Sequence, residues 1–229
     1  MVAIDYWWSD FKYNWKRFIS RKNSLIELAF CIALFIFVTI LFKNNLVRFE
    51  AIQGIRLDDI LLKNIAASDV SIYIFVLLYT TIFYNYFFFL AYPRLLVCFF
   101  IFYSSALLIR FSLLSVIHLE APIFYQEFSD PILATSTYNG IKITKDLFFS
   151  GHMVTMFCAY FAMPNKTIKR LFLANSIILG VLLLIQHVHY TIDLLGAYIA
   201  VYILYRVYFE KVYRNSKFTY QYSKEIINT

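Results

Sequence analysis

Five residues of the 229-residue chain have side chains suited to phosphoryl chemistry and stand where such side chains are costly: Arg110, His152, His187, His189 and Asp193. Each lies within or at the end of an apolar run, and an ionisable group at the centre of a membrane helix costs ~2.5–3.5 kcal/mol on insertion scales. His189 and Asp193 are four apart, so on a helical segment they share a face and the carboxylate can hold one imidazole nitrogen. That bond fixes the tautomer and leaves the other nitrogen as base or nucleophile. His152, brought in from another element, is then available to protonate a leaving group. Arg110 suits a tetrahedral anion, phosphate above all. The set describes phosphoryl-type transfer through a phosphohistidine at a lipid–water boundary, with no metal or other cofactor required. A metal site made from His152, His187, His189 and Asp193 is a competing reading, weakened because His-x-His on a helix does not put both rings on one face. His118 and His187 read as interfacial polar residues, with a supporting place near the site open to His187.

The elements that must position these residues are helices in a bilayer. The composition is 61% hydrophobic and only 15% charged, where a soluble domain carries about a quarter charged residues. With 25 Phe and 19 Tyr, it is the opposite of a disordered composition. Apolar runs of span length cover Ser24–Phe42, Val70–Tyr92, Leu95–Ile117, Phe148–Met163, Leu171–His187 and Thr191–Phe209. They are continuous, unlike the ~10-residue alternating segments of a membrane barrel, and lipid leaves each backbone amide no partner outside its own helix. The expected fold is therefore an all-α integral membrane protein, a six-transmembrane-helix bundle. The first run follows a basic stretch, but it is too long for a signal-peptide core and no small-residue cleavage site follows, so it reads as a retained span. Arg110 falls about seven residues from the outer end of the third run, roughly 10 Å below that surface. His152, His189 and Asp193 reach the same depth from the other runs.

Lys and Arg set the orientation. Fourteen fall on the side of both termini, six on the opposite side (Lys43, Arg48, Arg56, Lys63, Lys142, Lys145), and Arg110 lies inside a span. Both termini are thus expected in the cytoplasm, with loops 43–69 and 118–147 and the candidate site on the exoplasmic, periplasmic or lumenal side. Three regions follow: an interfacial segment 1–23, a membrane domain 24–209 and a basic tail 210–229. Trp7, Trp8 and Trp15 lie in the first, among Lys12, Lys16 and Arg17. They read either as a helix lying on the cytoplasmic leaflet or as ordinary flanking anchors. Cys31, Cys98 and Cys158 are isolated within spans and read as small buried hydrophobes. The net charge of +7 is a topology and lipid-surface signal, and nothing organises it for nucleic acid.

Two stretches carry a family resemblance. Asp146-Leu147-Phe148-Phe149-Ser150-Gly151-His152 and His187-Val188-His189-Tyr190-Thr191-Ile192-Asp193 resemble the G-D-x-x-F-S-G-H-T and H-x-H-Y-T-I-D-V motifs of the sphingomyelin synthase family, a branch of the PAP2-like lipid phosphate phosphatase superfamily. Leu57-Asp58-Asp59 and the segment from Arg110 to Pro122 are weaker echoes, so the resemblance covers roughly residues 55–205. It implies a PAP2-like bundle in which His189 attacks the phosphorus of a phospholipid headgroup, Asp193 orients His189, and His152 protonates the departing diacylglycerol and then activates an acceptor hydroxyl. It also implies substrate-binding places for Arg110, Asp146, Ser150 and Tyr190. The partners implied are a phospholipid donor and a lipid acceptor such as ceramide within the bilayer; self-association is left open.

The chain departs from the family pattern at Met153 in place of Thr, at Thr144 and Lys145 in place of Cys-Gly, and at Ile55 and Arg56 in place of Pro-Pro. Leu183 stands where the phosphatase branch carries an Arg. Headgroup and acceptor stay open. Two further readings remain beside transfer: hydrolysis by the same site, as in a phospholipase C or lipid phosphatase, and a non-catalytic scaffold or lipid sensor.

Overall fold

The computed structural model describes residues 2–127 and 143–215. Expectations for Lys142, Lys217, Lys224 and Thr229 fall outside the described residues. The elements are α1 (Val2–Ile19), α2 (Ser24–Ala51), α3 (Ile60–Lys63), α4 (Ser71–Leu90), α5 (Pro93–Leu114), α6 (Gly151–Ala162), α7 (Lys166–Ile185), α8 (Thr191–Leu204), a π-helical turn (Tyr205–Phe209) and α9 (Glu210–Asn215). Among the described residues, the one piece of β-pairing is an isolated parallel bridge, Ile55 to Leu119.

Five helices are long and apolar enough to cross a membrane: Ser24–Ala51, Ser71–Leu90, Pro93–Leu114, Lys166–Ile185 and Thr191–Val212. This is the architecture of a multi-pass membrane protein. The expected fourth span differs. Its helix α6 has 12 residues, ~18 Å at 1.5 Å per residue, against a hydrocarbon core of ~30 Å. An apolar run alone does not distinguish a buried segment from a spanning one. α6 is the bundle's central rod, with Val154, Met156, Phe157, Cys158 and Phe161 buried against α4, α5, α7 and α8. Its polar approach lies in protein rather than lipid, the setting in which irregular backbone is tolerated at membrane depth.

Helix ends follow local chemistry. Pro93 starts α5, where its missing N–H costs nothing. Asn165 caps α7 by accepting from Ile168 N at 3.0 Å, just after Pro164 ends the preceding chain. At this end of the bundle, α1 lies against the α4–α5 turn. Trp15 Nε1 donates to Leu90 O at 2.8 Å, Asn14 Nδ2 to Ala91 O at 3.0 Å and Trp7 Nε1 to Phe87 O at 3.3 Å. These are the carbonyls that a helix C-terminus leaves without intrahelical partners. Trp7 also stacks on Phe87, centroids 4.3 Å apart. Trp7 and Trp15 of α1 are thus hydrogen-bonding caps of α4, whereas Trp8 is exposed.

α2 is peripheral. Its buried residues Ser24, Cys31 and Val38, then Leu46 and Phe49, form one seam spaced about every seven residues, and its main neighbour is α5. The rest of its surface, including Phe30, Ile36, Phe37 and Ile40, is exposed, as a lipid-facing helix requires.

Candidate active site

The opposite end gathers the motif residues. α7 ends at Ile185 and the chain does not simply leave the bundle. His187 adopts a left-handed backbone, φ 54°, and Val188 N donates back to Leu183 O at 3.3 Å, returning the chain by about a turn. This sinks His189 into the bundle before α8 begins at Thr191. His189 Nδ1 lies 3.2 Å from Asp193 Oδ2, and the same oxygen accepts from Tyr190 N at 2.9 Å. The Asp193 side chain is fully buried. Because an ionised carboxylate only accepts, this contact assigns the His189 proton to Nδ1 and leaves Nε2 with a lone pair. Asp193 Oδ1 is buried and accepts no hydrogen bond among the described residues.

His152 reaches the same place from the first turn of α6. Its ring centroid is 6.0 Å from that of His189, with planes at 66°, and its other flank meets Phe75 of α4 edge-on at 6.3 Å. Ser150 N donates to Asp193 O at 3.2 Å, binding the start of α6 to the start of α8. The Ser150 hydroxyl accepts from Met153 N at 3.4 Å, an N-cap in the usual sense.

Arg110 is where the structure adds most to the expectation. It is only 4% exposed. Nε donates to Phe149 O at 2.6 Å, and one terminal nitrogen donates to Asp146 Oδ1 at 2.6 Å and to Asp146 O at 3.4 Å. The ring of Phe42 lies 5.1 Å from its guanidinium carbon. On the remaining side is Gly151, where an added Cβ would come within 3.2 Å of that carbon. Arg110 therefore clamps the segment that delivers His152, and Gly151 lets the guanidinium approach. A buried arginine needs such pairing, because an uncompensated buried charge is strongly destabilising.

The long loops are tied to the same motifs. Tyr190 Oη donates to Glu120 O at 2.9 Å and accepts from Leu57 N at 3.3 Å. Asp59 accepts from Thr191 N at 2.7 Å and from Thr191 Oγ1 at 3.1 Å, while capping α3 through Leu61 N at 2.9 Å. Partial burial raises the Asp59 pKa, but the bonds from Thr191, Leu62 and Leu61 outweigh it, and the carboxyl titrates below its ordinary value. Glu120 is also lowered, by Lys145 and by the Gly54 amide.

The structure brings His152, His189, Asp193 and Asp146 to one end with Arg110. It turns His187 elsewhere, Nδ1 to Ile123 O and Nε2 to Ile65 O, both at 3.0 Å. Ser150 and Tyr190, expected at the substrate, have their hydroxyls bound to backbone groups. Sequence reasoning missed Gln186 and Glu50. Gln186 is fully buried; its amide meets Asp69 Oδ1, Ser71 Oγ and Glu127 O at 3.0–3.1 Å and accepts from Val70 N. Glu50, at the end of α2, accepts from Thr144 N, Thr144 Oγ1 and Lys145 N at 2.7–2.9 Å. Position beside His187 was a hint for Gln186; Glu50 lies 94 residues from its partner, beyond any local spacing rule.

Residues 145–210 match a family model described as PAP2 superfamily C-terminal. No curated protein matches the chain. The matched segment contains His152, His189 and Asp193, and supports a PAP2-like superfamily relationship and, with it, a phosphatase or phosphotransferase enzyme.

Proposed function

We propose that the chain is a membrane phosphotransferase that moves a phosphorylated headgroup from a glycerophospholipid to a lipid hydroxyl such as that of ceramide, releasing diacylglycerol. The observation that carries this reading is the buried His189–Asp193 pair, 3.2 Å apart, with the His152 ring 6.0 Å from that of His189. His189 Nε2 attacks phosphorus, the bond from phosphorus to the glycerol oxygen breaks, and His152 gives that oxygen its proton. Asp193 stabilises the positive charge that develops on His189. The acceptor hydroxyl then gives its proton to His152, its oxygen bonds to phosphorus, and the N–P bond breaks. The N-terminal ends of α6 and α8 both begin here, and their dipoles favour the phosphoryl charge. Arg110 acts in this reading by holding Asp146 and Phe149, and so the angle at which His152 is presented.

Hydrolysis uses the same first half, with water replacing the acceptor. Transfer is favoured because Leu183, where the phosphatase branch of the resembling family carries an arginine, is a fully buried core residue. The Lys and Arg distribution supports cytoplasmic termini, with the α1 end inside and the histidine end on the opposite leaflet.

The test is purified protein with headgroup-labelled phosphatidylethanolamine or phosphatidylcholine, with and without ceramide. A labelled sphingophospholipid formed only with ceramide, and lost in His189→Ala, is the expected result. Equal release of labelled water-soluble headgroup phosphate without ceramide would establish hydrolysis instead, and no product from any donor would sink both. A reporter fused at Thr229 should read cytoplasmic.

A further inference from the structure

Below the histidines, α6, α7 and α8 leave an apolar groove of about 350 Å³ between them. Its upper rim is Met153, Leu184 and Leu194, so it starts one residue from His152 and one from Asp193. It continues to Leu173, three turns of α7 or ~16 Å along the helix axis. Gly180 creates the room at the top, where a Cβ would already stand 3.3 Å from Leu194 Cδ2 and 3.6 Å from Met153 Cε. The hydroxyl of Ser176 is turned away, donating to Phe172 O at 2.7 Å, which leaves the lining of the groove almost wholly apolar. Its open side is continuous with the lipid-facing surface through the exposed Ile177, Val181 and Leu195.

We infer that this groove holds one acyl chain of the phospholipid donor, a conclusion that rests on the transfer reading above. A headgroup at the histidines and a linear hydrocarbon running down the helix axis is the geometry of a lipid standing in one leaflet. The groove is narrow, long and apolar, which fits a chain and excludes a headgroup. Its lining starts at Met153, the residue that follows His152 in α6, so the chain it receives belongs to the diacylglycerol whose oxygen His152 protonates. Depth along α7 then converts to chain length.

Two measurements test this. Ile177→Trp places bulk on the exposed wall of the groove, below Gly180, and touches none of the polar machinery. It is expected to lower turnover of a dioleoyl donor fivefold or more while leaving a dihexanoyl donor within twofold; equal loss on both, or loss on neither, overturns the groove. Independently of turnover, His189→Ala protein in nanodiscs is photolabelled with a phospholipid carrying a diazirine near the end of one acyl chain. Adducts concentrated between Leu173 and Val181 and near Tyr198 are expected. Labelling spread equally over the lipid-facing side of α2, or labelling of the groove by a diazirine ceramide and not by the donor, overturns the assignment. If the wild type transfers no headgroup, the function fails on its own assay, and the labelling pattern still decides the groove.

Discussion

At the tryptophan end of the bundle, helices meet through very short turns, Ala91–Tyr92 and Met163–Asn165, closed by aromatic rings and by indole N–H groups on the carbonyls of Phe87 and Leu90. At the histidine end, polar side chains reach distant backbone groups, Asp59 to Thr191, Tyr190 to Glu120 and Glu50 to Thr144, beside backbone ties such as Ile55 N to His118 O and Ser150 N to Asp193 O. The first arrangement backs its three side-chain hydrogen bonds with aromatic stacking and apolar contact, which fall off gently with displacement. The second relies on hydrogen bonds, which weaken steeply with distance and angle. The difference shows where position matters: the histidine end is fixed residue by residue, whereas the tryptophan end needs only to stay closed.

Substitutions at the two ends should therefore separate activity from stability. The largest effect is expected at Asp193. Asp193→Asn keeps the shape but removes the charge and frees the His189 tautomer, and loss of an orienting aspartate costs ~10⁴ in rate in comparable triads. Initial rates on labelled phospholipid read this directly, and a fall of less than tenfold would mean that Asp193 does not orient and charge His189. Next is Gly54→Val. A Cβ at Gly54 would lie 2.7 Å from His118 O and Leu119 C, and both are backbone atoms that cannot swing aside. The loop pairing at Ile55 and Leu119 should part, with activity down about tenfold and overpacking of ~1–3 kcal/mol localised to the loops. Hydrogen exchange at Ile55 and Glu120 amides checks the location.

Asp59 provides a smaller, pH-dependent effect. Its folded pKa is depressed, so its contribution to stability is complete above its unfolded value, ~3.9, and is lost as pH falls through the lower folded value. Asp59→Asn should melt below wild type at pH 7, and the two curves should converge as the medium is acidified below pH ~4. Parallel curves throughout would show that the Thr191 contacts do not depend on charge. The smallest effect belongs to the other end: Trp15→Phe removes one hydrogen bond, worth ~1 kcal/mol net, and should leave turnover within twofold. A larger loss of activity there would erase the contrast between the ends.

How much of this was legible in sequence depended on distance along the chain. His189 and Asp193 were readable because four-residue spacing on a helix is itself geometry. The runs expected to start at residues 24, 70, 95, 171 and 191 correspond to helices starting at 24, 71, 93, 166 and 191; the largest gap is at α7, whose basic first turn hydropathy does not count. α6 was read as too long because a run of apolar residues looks the same in a protein core and in a bilayer. Arg110 was read from its depth and charge alone; its partners Asp146 and Phe149 are 36 and 39 residues away, so its role as a clamp needed coordinates. Lys145 was counted among orienting charges, yet its ammonium holds Glu120 Oε1 at 2.8 Å and Ile52 O at 3.0 Å. The Thr144-Lys145 pair that departs from the family pattern is thus met by acidic residues elsewhere, a compensation no local motif displays.

The length of α2 has a consequence of its own. Its 28 residues measure ~42 Å, but the apolar part, Ser24–Phe42, is ~28 Å and matches a ~30 Å hydrocarbon core, so the polar last turns, Lys43–Ala51, project beyond it. α2 is held along a single seam, and its far tip carries Glu50, which holds Thr144 and Lys145 on the approach to His152. One continuous rod thus serves two media: its first part meets lipid, and its last turns carry a carboxylate out to the chain that leads to His152.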